Sequence, residues 1–351
     1  MSAARKRGFG LRAFFIFSAL LVGAFVYWAY DRYTGFVDAP LSGLEAGESL
    51  VVERGDSFAR VLQRLREQGV REGHELEWQL LARQLDAAGK IQVGEYPLEP
   101  GTTPRTLLLA MRDGKVLSYR FTIVEGWNIR QLRAALAKAS PLKQETAELD
   151  DAALMEKLGH PGQHPEGRFL PETYVYTRND TDLALLGRAH AALDKALDAA
   201  WQSRDQDLPL QSKEEALVLA SIVEKETGIA DERPQIAGVF LRRLKLGMRL
   251  QTDPTVIYGM GSTYAGNLRK VDLLADTPYN TYTRDGLPPT PIAMVGADAL
   301  QAVTHPADGD ALYFVAVGDG SGRHVFSKTL AEHEAAVREY IRRYRAQYGP
   351  K

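Results

Sequence analysis

At 351 residues the chain is longer than one average domain, and with an apolar N-terminal stretch set aside it leaves room for two extracytoplasmic domains and a core large enough for an enzyme. Its 43 Lys and Arg against 45 Asp and Glu give a net charge of −2, without the basic field that binding to nucleic acid requires. The chain has no cysteine, which excludes disulfides, thiolate metal sites and a Cys nucleophile and leaves catalysis to oxygen and nitrogen side chains.

From Ala13 to Tyr30 the run AFFIFSALLVGAFVYWAY carries no charge. At about 1.5 Å per helical residue it nearly crosses a hydrocarbon core of about 30 Å, with Leu11 extending it and Arg12 able to snorkel. Arg5, Lys6, Arg7 and Arg12 precede the run and Asp31 follows it, so the positive-inside rule assigns residues 1–12 to the cytoplasm and the bulk of the chain to the outside. Tyr27, Trp28 and Tyr30 suit the outer interface. No small-x-small cleavage site follows a short apolar region, so residues 13–30 read as an uncleaved single-pass anchor.

Residues 31–47, rich in Gly, Pro and Ser from Thr34 onward, read as a linker. A strand is expected over Ser49–Glu53, then a Gly55-Asp56-Ser57 turn that caps a helix with Val61, Leu62 and Leu65 on one face, stopped by Gly69. A helix from Leu76 to Leu85 follows, then a strand in QVGEYPLEPG, a Pro-Gly turn, and a helix capped near Thr103 that exits at Gly114. Residues 48–116 thus form a small α+β module, and its strand–Gly-Asp-Ser–helix opening resembles LysM-type glycan-binding modules. Residues 117–351 form the second, larger α+β domain. It begins with a strand over Leu117–Val124 and a helix over Ile129–Ala137, passes through an irregular polar stretch from Ser140 to Gly167, and continues through RFLPETYVY into a helix over Asp182–Ala200.

Ser212-Lys213-Glu214-Glu215 has the form of a capping box, with the serine oxygen accepting from the Glu215 amide and Glu215 reaching back to the serine amide. The helix it starts is expected to end at Gly228, with Ala216, Leu217, Leu219, Ala220, Ile222 and Val223 as one broad apolar face. Glu224 and Glu226 fall on opposite edges of that face, each roughly 80° from its centre, Lys225 points away between them, and Thr227 sits near the buried stripe. Periodicity alone does not choose between the two carboxylates, and a glutamate near a helix end is ordinarily solvated.

Other chemistries find little support. The seven histidines are scattered and no HExxH occurs, so no metal site and no cofactor is expected. The glycine-rich GDGSGRH at Gly318 lies between two strand-like runs and reads as a hairpin loop, because no helix follows it to cradle a phosphate. No nucleophile elbow is present.

The run ASIVEKETGIADERPQIAGVFLRRLKLGMRLQTDPTVIYGMG resembles the catalytic core of the MltG (YceG-like) endolytic murein transglycosylases. The resemblance continues through NLRKVDL, TPYNTYTRDGLPPTPIA, ALQAVTHP and LYFVAVGDGSGRHVFSKTLAEH, and with the anchor and the LysM-like module it covers nearly the whole chain. It implies an enzyme of the bacterial inner membrane that cleaves the β-1,4 bond between N-acetylmuramic acid and N-acetylglucosamine without water, leaving a 1,6-anhydro-muramic acid end. The family's catalytic glutamate, the second of its Glu-Lys-Glu-Thr run, matches Glu226. Glu224 is kept as an auxiliary group, with a salt bridge to an arginine as its structural alternative.

Substrate-binding candidates come from polar and aromatic loops. Gln251, Thr252 and Asp253 stand before Pro254, where Asp253 is either a helix cap or a sugar ligand. Tyr279, Asn280, Thr281 and Tyr282 lie in a family motif that implies substrate contact, and Tyr258 can support the same cleft. His305 and His324 read as structural. The resemblance also implies peptidoglycan glycan strands and penicillin-binding synthases as partners and an action that ends nascent strands. A membrane-anchored glycan-binding scaffold without activity is the alternative, distinguished by sacculus binding without cleavage. A last helix is expected over Leu330–Tyr348.

Overall fold

A computed structural model describes residues 7–349, and Arg5 and Lys6 of the basic N-terminal cluster lie outside the described residues. The chain divides into two compact units, one reaching to Tyr119 and taking back Thr177–Asn179, the other comprising Arg120–Tyr176 and the chain from Asp180 onward. Both are α+β, and each named sheet in the described residues has two strands.

The first unit begins with α1 (Arg7–Asp38), which between Arg12 and Asp38 is long and apolar enough to cross a membrane. The expected linker is shorter than its composition suggested, because the helix runs unbroken through Thr34 to Asp38. The reason is packing: Phe36 and Val37 are buried in the unit's core, and Asp38 pairs with Arg105 at 2.7 Å. Beyond it, β1 (Glu48–Val52) pairs antiparallel with β2 (Gly94–Leu98), Glu48 opposite Leu98. Three helices, α2 (Phe58–Glu67), α3 (Glu75–Gln84) and α4 (Pro104–Asp113), supply Leu65, Trp78, Leu81, Leu107 and Met111 to a core shared with Leu50, Tyr96 and Leu98. Ser57 and Thr103 cap α2 and α4 as the sequence indicates, and Gly114 ends α4 in a left-handed conformation. Arg178 forks onto Glu95 of β2 with two 2.8 Å bonds and pins Thr177–Asn179 to this unit. That guanidinium, with help from Ser49 and Tyr119, holds the Glu95 carboxyl down to about 2 despite its burial.

In the second unit β3 (Tyr119–Thr122) pairs with β4 (Thr173–Tyr176), and α5 (Ile129–Leu136) follows β3. The stretch expected to be irregular contains a helix, α6 (Asp151–Lys157), too short for its period to register; Asp150 caps it and Leu154 and Met155 are buried. Then come α7 (Asp182–Ser203), α8 (Lys213–Glu226), α9 (Arg233–Lys245), α10 (Asp253–Met260), α11 (Lys270–Leu274) and α12 (Ala297–Thr304). The hairpin β5 (Tyr313–Ala316) and β6 (His324–Ser327) and the long α13 (Leu330–Tyr348) complete it, matching the expected hairpin and last helix.

Helix α8 is the axis of this unit. Every residue from Ala216 to Val223 is buried, so it has no solvated side at its middle and packs against α7, α9 and α12. Ser221 is accommodated there because its hydroxyl donates to the Val218 carbonyl at 2.7 Å and accepts from the Ile292 amide at 2.9 Å. Only half of the expected capping box forms: Ser212 accepts from the Glu215 amide, but the Glu215 carboxylate takes the Gln211 amide instead. The helix also ends two residues early. Thr227 is extended, at φ −145°, and its hydroxyl accepts from the Ile229 amide at 3.0 Å, which turns the chain before Gly228.

Candidate active site

The C-terminal turn of α8 is where the buried helix meets a cleft. Glu226 is its last residue, and it stands in an open cavity of about 450 Å³ whose other walls include Arg243, Gln251, Thr252, Asp253, Tyr282, Tyr313 and His333. Its carboxyl is packed among protein atoms with part of its surface open to the cleft. Burial pushes its pKa up to about 7, and the nearby Asp253 charge adds to this; the Thr252 hydroxyl, which donates to Oε1, acts the other way.

Thr252 is placed by a chain of hydrogen bonds. Its amide donates to the Thr281 hydroxyl at 3.1 Å, its carbonyl accepts from Thr255 at 2.8 Å, and Thr255 and Thr281 share a hydrogen bond at 2.9 Å. Gln251 adopts φ 51° and donates its amide to the Thr281 carbonyl, so a left-handed kink presents the hydroxyl to Glu226. Asp253 opens α10 without capping it; the Tyr282 hydroxyl donates to its Oδ1 at 2.6 Å.

Of the sequence candidates, Glu226, Gln251, Thr252, Asp253 and Tyr282 therefore share one cleft. Thr281 stands buried behind it. Asn280 is buried, and its amide nitrogen donates to the carbonyls of Leu273 and Ala275 at 3.0 and 2.7 Å while Oδ1 accepts from the Tyr282 amide, so it shapes the loop and does not line the cleft. Tyr258 and Tyr279 pack edge to face at 4.8 Å, and Tyr258 lines a different cavity of about 380 Å³ with Arg130 and Lys225.

Glu224 also lies elsewhere. It accepts from the Gly296 amide at 3.1 Å and pairs with Arg233 at 3.5 Å, which realises its structural alternative. Arg233 is shared with Glu125 and Asp298 at 3.6 and 3.3 Å. Burial raises the Glu224 pKa, the Gly296 amide opposing it.

Three polar wall residues, Arg243, Tyr313 and His333, escaped the sequence. Arg243 of α9 is buried, bonds the carbonyls of Leu312, Arg249 and Leu250, and lies over the Tyr313 ring at 5.1 Å. Burial lowers its pKa from a value so high that it stays cationic. His333 of α13 stacks on the same Tyr313 ring at 5.3 Å, and burial followed by the Arg243 charge lowers its pKa. These residues come from a helix, a hairpin and the last helix, and only the tertiary fold joins them. Outside this cleft, Glu166 is fully buried against the Ile129 amide and the Tyr258 hydroxyl, and burial pushes it up to about 7 as well.

The remaining histidines are engaged in structure. His305 bonds the Ser203 carbonyl at 2.7 Å and His324 bonds Glu232 at 2.8 Å. His160, His190 and Asp194 come within ligand distance of one another, but His190 stacks on His160 at 3.8 Å and bonds Gln163 at 2.9 Å, as packing at the α7 surface.

The YceG-like family matches residues 50–339, a span that includes every wall of the cleft. The chain is 34% identical over 271 residues to an endolytic murein transglycosylase of Bacillus subtilis (strain 168), covering 72% of this chain and 74% of that one. It is 32% identical over 181 residues to an endolytic murein transglycosylase of Streptococcus pneumoniae (serotype 2, strain D39 / NCTC 7466), covering 50% of this chain and 32% of that one. A crystal structure of a YceG-like protein from Listeria monocytogenes superposes with a TM-score of 0.51 at 27% identity, over 82% of this chain and 98% of that one. With sequence similarity running through Glu226 and the loops that face it, and a solved fold to match, the chain belongs to the YceG-like family.

Proposed function

We propose that this protein is an endolytic peptidoglycan lytic transglycosylase in which Glu226 is the single acid/base. The observation that carries the reading is a carboxyl group set among protein atoms at the floor of an open cleft, where burial pushes its pKa up to about 7 and so favours a protonated fraction at neutral pH. Protonated Glu226 donates to the glycosidic oxygen between N-acetylmuramic acid and N-acetylglucosamine, and the C1–O bond breaks. The muramic acid C6 hydroxyl attacks the anomeric carbon, and the Glu226 carboxylate takes the proton that this hydroxyl releases. The product is a 1,6-anhydro end, the group returns to its starting state, and no water is consumed. Because the nucleophile belongs to the substrate, no carboxylate has to stand about 5 Å away as in retaining hydrolases. In this mechanism Asp253 and Tyr282 bond sugar hydroxyls, Gln251 and Thr252 orient the acid, and Arg243 attracts substrate carboxylates, a reading supported by their shared cleft.

Product mass tests the reaction type. Digests of purified sacculi should contain anhydro-ended fragments; fragments one water heavier, with reducing muramic acid, would mean hydrolysis with Asp253 as the base for water. A finer test concerns the hydroxyl on Glu226. Thr252→Val removes a donor that favours the carboxylate, so the Glu226 pKa rises and the alkaline limb of kcat/KM moves up by about one pH unit. An unmoved limb would show that another group sets it.

In this reading α1 is a single-pass anchor in the bacterial inner membrane with residues 1–12 in the cytoplasm and both units outside. Residues 48–116 act as a LysM-like module that holds glycan, and residues 117–351 as the catalytic domain. An anchored cutter works on strands close to where synthases of the penicillin-binding class extend them, and endolytic cleavage there ends nascent strands.

A further inference from the structure

Helix α1 does not stop where its apolar run stops. It continues from Tyr30 to Asp38 as one helix, and its last two turns are fastened to the first unit: Arg32 pairs with Glu77 at 2.9 Å, the Tyr33 hydroxyl bonds Gln84 at 2.6 Å, and the Phe36 ring meets Trp78 edge to face at 5.3 Å. Arg32 lies only about 3 Å beyond Tyr30 along a helix axis, so the fastening begins within one turn of the aromatic belt. A unit held this way cannot swing on a flexible tether, and some of its surface stands level with the end of the apolar run.

The surface at that level is apolar. A groove of about 380 Å³ is lined by Trp28, Ala29, Arg32 and Tyr33 of α1 and, from the chain at α3, by Leu76 and Leu80 among others. Leu76 is 77% exposed and Leu80 54% exposed, one turn apart on the same face of α3, while Trp78, Leu81 and Ala82 on its other side are buried in the core. Single exposed leucines are ordinary, but two in register beside Trp28, itself 55% exposed, form a continuous patch. Their outward face is unpartnered, and continuity with the apolar run of α1 names what covers it.

We propose that α3 rests on the bilayer, with Leu76 and Leu80 inserted into the boundary between headgroups and acyl chains of the leaflet that holds Trp28, so that the lipid surface is a second contact for the first unit. The inference rests on α1 being a membrane span. Its physics is that of an interfacial helix, with leucines downward, a Trp at headgroup depth and a cation, Arg32, beside it. The consequence is a module held at fixed height and orientation on the membrane.

Because the chain has no cysteine, single-cysteine variants of the full-length protein report one position each. Leu76→Cys, Leu80→Cys, Leu21→Cys in the apolar run and Gln63→Cys on the exposed side of α2 are labelled with a fluorophore. Each is reconstituted into vesicles of phosphatidylethanolamine and phosphatidylglycerol in which some lipids carry a nitroxide near the headgroup end of the acyl chain. The expected result is quenching at positions 76 and 80 severalfold stronger than at position 63, with position 21 shielded from aqueous iodide. If position 21 is lipid-shielded while 76 and 80 behave like 63, the seat on the membrane is wrong and the anchor stands. If 21 is open to iodide, the anchor fails and the seat with it. Positions 76 and 80 shielded from both quenchers would mean that a protein, a second copy or a partner, covers the patch, and this also overturns the proposal.

Discussion

Glu226→Gln is expected to lower the release of anhydro-ended fragments from sacculi by about a thousandfold, within the 10²–10⁴ that general acid–base catalysis contributes, with the fold unchanged. The substitution keeps the shape of the side chain, and the amide oxygen can still accept from the Thr252 hydroxyl, so the cleft is preserved. What it removes is the transferable proton. Glu224→Gln is the comparator, two residues away on the same helix and also raised in pKa by burial. Its carboxylate meets the Gly296 amide and Arg233 outside the cleft, so the variant should disturb packing while leaving the pH dependence of cleavage in place. Liquid chromatography with mass detection of the muropeptides, with circular dichroism for the fold, reads both. Near-normal release by Glu226→Gln would remove Glu226 from the chemistry.

Why the sequence left these two glutamates level is a physical matter. The helical wheel assumed one apolar face with two edges, a good assumption for a helix at a surface. Helix α8 is buried all round through Val223, so angle around the axis no longer reports what a side chain faces. What separates Glu226 from Glu224 is their partners, Thr252 at the start of α10 and Gly296 before α12, both far along the chain. Local signals fared better: the caps at Ser57, Thr103 and Ser212, the hairpin at Gly318 and the last helix all follow from nearby residues. Composition misled where two apolar residues outweighed their polar neighbours, as at Phe36 and Val37 in the expected linker. At Asn280 the polar side chain in a motif suggested a sugar ligand, but its hydrogen bonds are spent on the loop that carries Tyr282. Arg243, Tyr313 and His333 have ordinary helical or strand-like contexts and become a cleft wall only through the tertiary fold.

The same Glu226→Gln variant should be more stable than the parent protein at alkaline pH and not at acid pH. In the unfolded chain Glu226 titrates near the ordinary value of 4.5; in the folded protein burial holds it at about 7. Below the unfolded value both states are protonated and the group costs the fold nothing. As pH rises from there toward 7 the unfolded chain gives up its proton while the folded one retains it, and the equilibrium moves toward unfolding. Above the folded value the penalty is complete, about 3 kcal/mol by the linkage relation, and it represents the desolvation of a carboxylate that a neutral amide avoids. Glu166 is raised to about the same value by its own burial, but it is present in both proteins and cancels in the difference. Urea midpoints of the two proteins, followed by tryptophan emission, should therefore coincide near pH 4 and diverge through pH 7, the variant unfolding at the higher concentration. A constant difference across that range would mean that Glu226 is not held protonated by burial, and the proton on which the proposed cleavage depends would need another source.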